Sequence, residues 1–117
     1  MTINDDFCEL VGEDLSGVVF VRDYVQLQFD QPPLLNAGTP VTVESSGGRA
    51  TLGEEAFANL IIGQIGKVVR SASIQPDVAL VIEFDDGSTI SVSLSPSDYY
   101  GPEAVNLFRK NGSVVVI

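Results

Sequence analysis

Histidine is absent from the chain, and lysine occurs only at Lys67 and Lys110. Without imidazole there is no Ser–His or Cys–His nucleophile pair, no usual zinc ligand set and no side chain poised to exchange protons near neutrality. Any proton transfer would have to run through carboxylates, lysine or tyrosine. The one cysteine, Cys8, excludes an intrachain disulfide. It stands beside Phe7 among Asp5, Asp6 and Glu9, acids that disfavour a thiolate, and is expected to be a buried structural thiol. No Gly-rich phosphate loop is present, since Gly47-Gly48 lacks the spacing and the following Lys-Ser/Thr. Asp85–Ser97 does not supply the alternating oxygen ligands and closing Glu of a calcium loop. No cofactor and no metal is expected.

Long apolar runs are missing too. Stretches such as Val78–Ile82 and Val114–Ile117 fall far short of a membrane span. Met1–Asp6 carries acids and no apolar core of a signal peptide, so a reducing, cytoplasmic setting is expected. Basic residues are few: 6 Lys and Arg stand against 16 Asp and Glu, a formal net charge of -10. Nucleic-acid binding rests on Lys and Arg displacing counterions, and anionic membranes want a basic patch, so neither partner is expected. A basic protein would be drawn in faster by the field, although solubility alone accounts for the acidity.

What the chain does hold is core material. Hydrophobic residues make up 44% of its 117 positions, enough for one domain, 1–117, with an apolar centre. Phe7, Leu10, Val11, Leu15, Val18 and Val19 reappear fifty positions later as Phe57, Leu60, Ile61, Ile65, Val68 and Val69. Apolar spacing of i, i+3 and i+4 predicts a helix in each copy, followed by strands. The first helix starts near Asn4 or Asp5 and stops at Gly12. Thr51 and Glu54 form a capping box for the second, and Gly63 stands where a left-handed residue ends a helix.

Strand signals follow each helix. Val25, Leu27 and Phe29 alternate with polar residues after a turn at Arg22-Asp23, Pro32-Pro33 ends that strand, and Val41 and Val43 mark a third. Val78, Leu80, Ile82 and Phe84 then share a face, as do Ile90, Val92 and Leu94, with Asp86-Gly87 as the hairpin turn between them. Ser45–Gly48 reads as a loop. Gly101-Pro102-Glu103 opens a short helix over Ala104, Val105, Leu107 and Phe108, and Asn111-Gly112 turns into Val114–Ile117, a strand apolar enough to be covered on both faces. The expected class is α+β: a mostly antiparallel sheet or partly open barrel from two α-β-β-β repeats (4–44 and 51–95), with a C-terminal extension (98–117).

Two aromatic clusters beside acids are the candidate binding residues: Arg22, Asp23 and Tyr24 at a hairpin, and Tyr99, Tyr100 and Glu103 before and after Pro102. Tyrosine in a loop offers contact area at little entropic cost, and is as readily a half-buried residue with a wet hydroxyl. Asp30 and Asp85 each follow a phenylalanine at a strand end, equivalent places in the repeat. That suits either paired-carboxylate work or ordinary turn chemistry.

The segment Gly17–Asp30, continuing through Leu35-Asn36-Ala37 to Pro40 and Val41, resembles the signature stretch of a family of small uncharacterised bacterial proteins, a domain of unknown function. An aromatic belongs before the proline in that pattern, and Thr39 stands there instead. The resemblance implies a bacterial, cytoplasmic protein and brings no catalytic residues. Together these features predict a non-catalytic protein-interaction or assembly module, with a protein partner or a homodimer joined through the edge at Val114–Ile117. The alternatives are an immunity-like or antitoxin-like inhibitor of a basic partner, and a small-ligand binder or carboxylate-based enzyme in a groove between repeats.

Overall fold

The computed structural model describes residues 6–22, 24–30 and 33–117. The expected helix start at Asn4 or Asp5, the turn residue Asp23 and the strand-ending Pro32 lie outside the described residues. In chain order the strands are β1 (Gly17–Val21), β2 (Tyr24–Gln28), β3 (Leu34–Ala37), β4 (Val41–Ser45) and β5 (Gly48–Thr51). A helix, α1 (Phe57–Ile62), precedes β6 (Val69–Gln75), β7 (Ala79–Phe84), β8 (Thr89–Ser93), β9 (Val105–Phe108) and β10 (Val114–Val116).

The strands make two five-stranded sheets, ordered β1-β2-β3-β9-β10 and β5-β4-β8-β7-β6. Their pairings are antiparallel, so one face of each sheet can be apolar while the other is polar. Val25, Leu27, Leu35, Val105 and Leu107 bury the inner face of the first sheet. Val41, Val43, Leu80, Ile82, Ile90 and Val92 bury that of the second, and all join one contiguous core with Phe7, Phe57 and Phe84. Each such side chain contributes about 1.5–3 kcal/mol through removal from water.

The α+β expectation is overturned. The architecture is mostly β, and α1, at 6 residues, is too short to hold without packing Phe57 and Ile61 inward. Glu54 Oε1 does accept from Thr51 N–H at 2.6 Å, as in a capping box, but the helix starts later and its N-cap is Ala56. Gly63 is right-handed at φ −63, and the left-handed turn falls instead at Gly66. Cys8–Leu10 is a 3-10 turn, and Cys8 is exposed, contrary to the buried thiol expected. The C-terminal helix is strand β9, held by its register with β3. Ser45–Gly48 turns straight into β5, and Val114 and Val116 are exposed on an edge strand where cover on both faces was expected.

The repeat spaced by fifty also fails position by position: Val11 is exposed and Ile61 buried, Leu15 buried and Ile65 exposed. A different correspondence holds in the topology. Advancing each strand label by five, counted cyclically, turns the first sheet order, β1-β2-β3-β9-β10, into β6-β7-β8-β4-β5, the second read from its other end. Registers agree: Ala37↔Val105 and Leu35↔Leu107 in one sheet answer Val92↔Val41 and Ile90↔Val43 in the other. At the centre Asp14 bridges Val68. Leu15 N–H donates to Lys67 O (3.0 Å) as Val69 N–H does to Glu13 O (2.9 Å). Gly66 N–H donates to Leu15 O (2.7 Å) as Gly12 N–H does to Val69 O (2.9 Å).

Candidate functional site

One end of the first sheet is ringed by four connections: the β1–β2 turn, the Gly38-Thr39-Pro40 link to β4, Leu52-Gly53 after β5, and the loop at Tyr100. Backbone bonds fix them. Gly38 N–H donates to Ala104 O at 2.8 Å, Leu52 N–H to Val41 O at 2.8 Å, and the buried Thr39 hydroxyl to Ser93 O at 2.5 Å. Between them lies a concavity of about 560 Å³, walled by Phe20, Val21, Arg22, Tyr24, Leu52 and Tyr100. A second hollow of about 390 Å³ adjoins it, sharing Tyr24 and Gly38 and adding Asn36, Glu103 and Asn106.

Arg22, Tyr24, Tyr100 and Glu103 are therefore brought to one groove, with Tyr24 half-buried on its central ridge. Tyr99 is not part of it. Backbone at Tyr99 is extended, which sends successive side chains opposite ways: Tyr99 packs on the core, and Tyr100 is left 86% exposed. Asp23 lies outside the described residues. Among the described residues, Arg22 is the cation without an ion pair; Arg49, Lys67, Arg70, Arg109 and Lys110 each have one.

Phe20, Val21 and Leu52 were not singled out in the sequence, although a signal existed. Val18–Val21 is apolar at both parities, where a half-buried strand should alternate. Phe20 shares the inner side with Val25 yet is 48% exposed, because β1 ends the sheet; its ring meets that of Phe57. Its centroid lies 6.3 Å from that of Phe57, edge to face at 80°. Among the described residues no backbone bond reaches the outer edge of β1.

Elsewhere the polar chemistry is tied up. Lys67 Nζ donates to Gln64 Oε1 (3.1 Å) and Ser88 Oγ (3.2 Å) and pairs with Asp86 at 2.7 Å. All three ammonium donors are thereby used, and the Ser88 hydroxyl is itself bonded to Asp86 Oδ1 at 2.5 Å. Hydrogen bonds from Lys67 and then Ser88 hold the Asp86 carboxyl well below the usual carboxylate range. The hydrogen bond from Arg70 lowers the Glu83 carboxyl, and that to Glu13 raises Lys110. Arg109 bonds Asp6 at 3.1 Å; its buried Nε lies 3.5 Å from Glu9 Oε1, near enough for ion pairing but without hydrogen-bond geometry. Asp30 and Asp85 are both exposed and are not brought together: Asp30 lines a hollow of about 310 Å³ with Glu13 and Asp14, and Asp85 is not part of it.

No family model, curated protein or solved structure matches the chain. Among the described residues no helix is long and apolar enough to cross a membrane.

Proposed function

We propose that the chain is a non-catalytic interaction module whose groove at Tyr24 takes an extended segment of a partner protein. The observation that carries this is the gathering of Phe20, Val21, Leu52 and Tyr100 about an open concavity beside an unpaired strand edge. A strand edge supplies main-chain hydrogen bonds to an added segment, and a side pocket supplies selectivity. A bulky apolar side chain of the segment fills the concavity. Arg22 meets a carboxylate or carbonyl at its rim. Exposed Tyr beside Arg is the composition of contact hot spots.

The matched sheet orders support reading the chain as two copies of one unit that have exchanged their last hairpins, β4–β5 and β9–β10. In that reading the groove belongs to one copy alone, because β6, the counterpart of β1, carries Arg70, Ser71 and Ser73 where β1 is apolar. A bacterial, cytoplasmic setting and kinship with the uncharacterised family are retained as part of the proposal. The inhibitor of a basic partner rests on charge alone, and no feature of the groove adds to it.

Selection from a random peptide display library tests the function. Enriched peptides should carry a bulky apolar residue in an extended stretch and lose binding to Tyr100→Ala and Phe20→Ala. No enrichment, or binding indifferent to both substitutions, would overturn it.

A further inference from the structure

The outer face of the first sheet carries no charge. Its central row, read across the strands from the registers, is Val19–Gln26–Asn36–Asn106–Val116. The row beside it is Gly17–Gln28–Leu34–Phe108–Val114. In a chain of net charge -10, a five-stranded face whose strands carry no Asp, Glu, Lys or Arg, with Glu103 alone walling the hollow at one end, is a pronounced exception. The outer face of the second sheet behaves ordinarily, with Glu44 paired to Arg49 at 3.4 Å and Glu83 to Arg70 at 2.9 Å.

We infer that this face is where a second copy of the chain docks, forming an isologous dimer. Two copies of so acidic a chain repel wherever they present carboxylates, and this face lets them approach without doing so. An isologous contact also needs a surface that complements itself. The central row reads valine, three amides, valine, the same from either end. A twofold axis through Asn36, along the strands or across them, therefore sets amide against amide and valine against valine. Each amide carries both donors and an acceptor, so such pairs can be satisfied in either sense. Gln28 Nε2 already donates to Gln26 Oε1 (3.0 Å) and Gln26 Nε2 to Asn36 Oδ1 (2.9 Å), which fixes these side chains before contact. Val19, Val114 and Val116, exposed in one copy, supply the apolar rim.

This face shares Asn36, Asn106 and Tyr24 with the second hollow but not Phe20, Leu52 or Tyr100, so self-association and peptide binding read at Phe20 and Tyr100 can fail separately. Sedimentation equilibrium of the full chain tests it. A dimer is expected, strengthened as salt screens the remaining repulsion. Asn36→Asp, and separately Asn106→Asp, set like charges facing each other and should weaken association about a hundredfold or more. Ser91→Asp, on the outer face of the second sheet, should leave it unchanged. Circular dichroism and thermal midpoints of the variants confirm folding. A wild-type chain that is monomeric at 100 μM in both low and high salt would overturn the inference, as would a dimer indifferent to both aspartates.

Discussion

Phe20 on the sheet edge and Phe57 in the helix meet edge to face, their ring centroids 6.3 Å apart. This contact ties one wall of the groove to the core, yet the two rings stand in different environments: Phe57 is buried and Phe20 half in water. Phe57→Ala should therefore destabilise by about 3–5 kcal/mol, the cost of an aromatic cavity. Phe20→Ala should cost about 1 kcal/mol, close to the value of the ring pair, while removing the proposed binding. Urea unfolding of both variants checks the split.

The Lys67–Asp86 pair makes stability depend on acid. The Asp86 carboxyl is held low in the folded chain, chiefly by the hydrogen bond from Lys67. A depressed carboxyl stabilises the fold above its unfolded value, about 3.9, and loses that contribution as pH falls through the folded value. Lys67→Met should therefore lower the urea midpoint at pH 7 and narrow its deficit against wild type towards pH 2. A deficit constant across that range would contradict the assignment.

Gly12 and Gly66 occupy matched places beside the Asp14–Val68 bridge, at φ 87 and 95. Alanine has open space at both sites, so only backbone strain opposes it. Gly12→Ala and Gly66→Ala should each cost about 1–2 kcal/mol. Closely similar losses in thermal melts support the equivalence of the two turns. A large loss at one site alone contradicts it.

Cys8 is exposed on the 3-10 turn before Gly12. A thiol reagent should label it fully in the native chain, and Cys8→Ser should change stability by less than about 0.5 kcal/mol. Labelling that waits for denaturant would restore the buried thiol.

Much of the second sheet was legible beforehand. Leu80, Ile82, Phe84, Ile90 and Val92 alternate cleanly, and Gly87 at φ 88 supplies the turn that Asp86-Gly87 announces. β3 and β5 were not, because four residues beside Pro33 or Gly48 carry too few periods to register. β9 was misread for a different reason. Ala104, Val105, Leu107 and Phe108 fit a helical spacing as well as a strand, and pairing with β3, some seventy residues away, decides between them. The site was half legible. Its tyrosines and Arg22 stand out beside acids, whereas the apolar run that holds Phe20 gains its meaning only once β1 is known to end its sheet.

The groove is tested most directly by mapping the strongest display-selected peptide onto the chain by backbone amide chemical shifts. The account predicts perturbations centred on Phe20–Arg22, Tyr24, Gly38–Thr39, Leu52–Gly53 and Tyr100, abolished by Tyr100→Ala. Perturbations centred on the second sheet, or unaltered by that substitution, would contradict it.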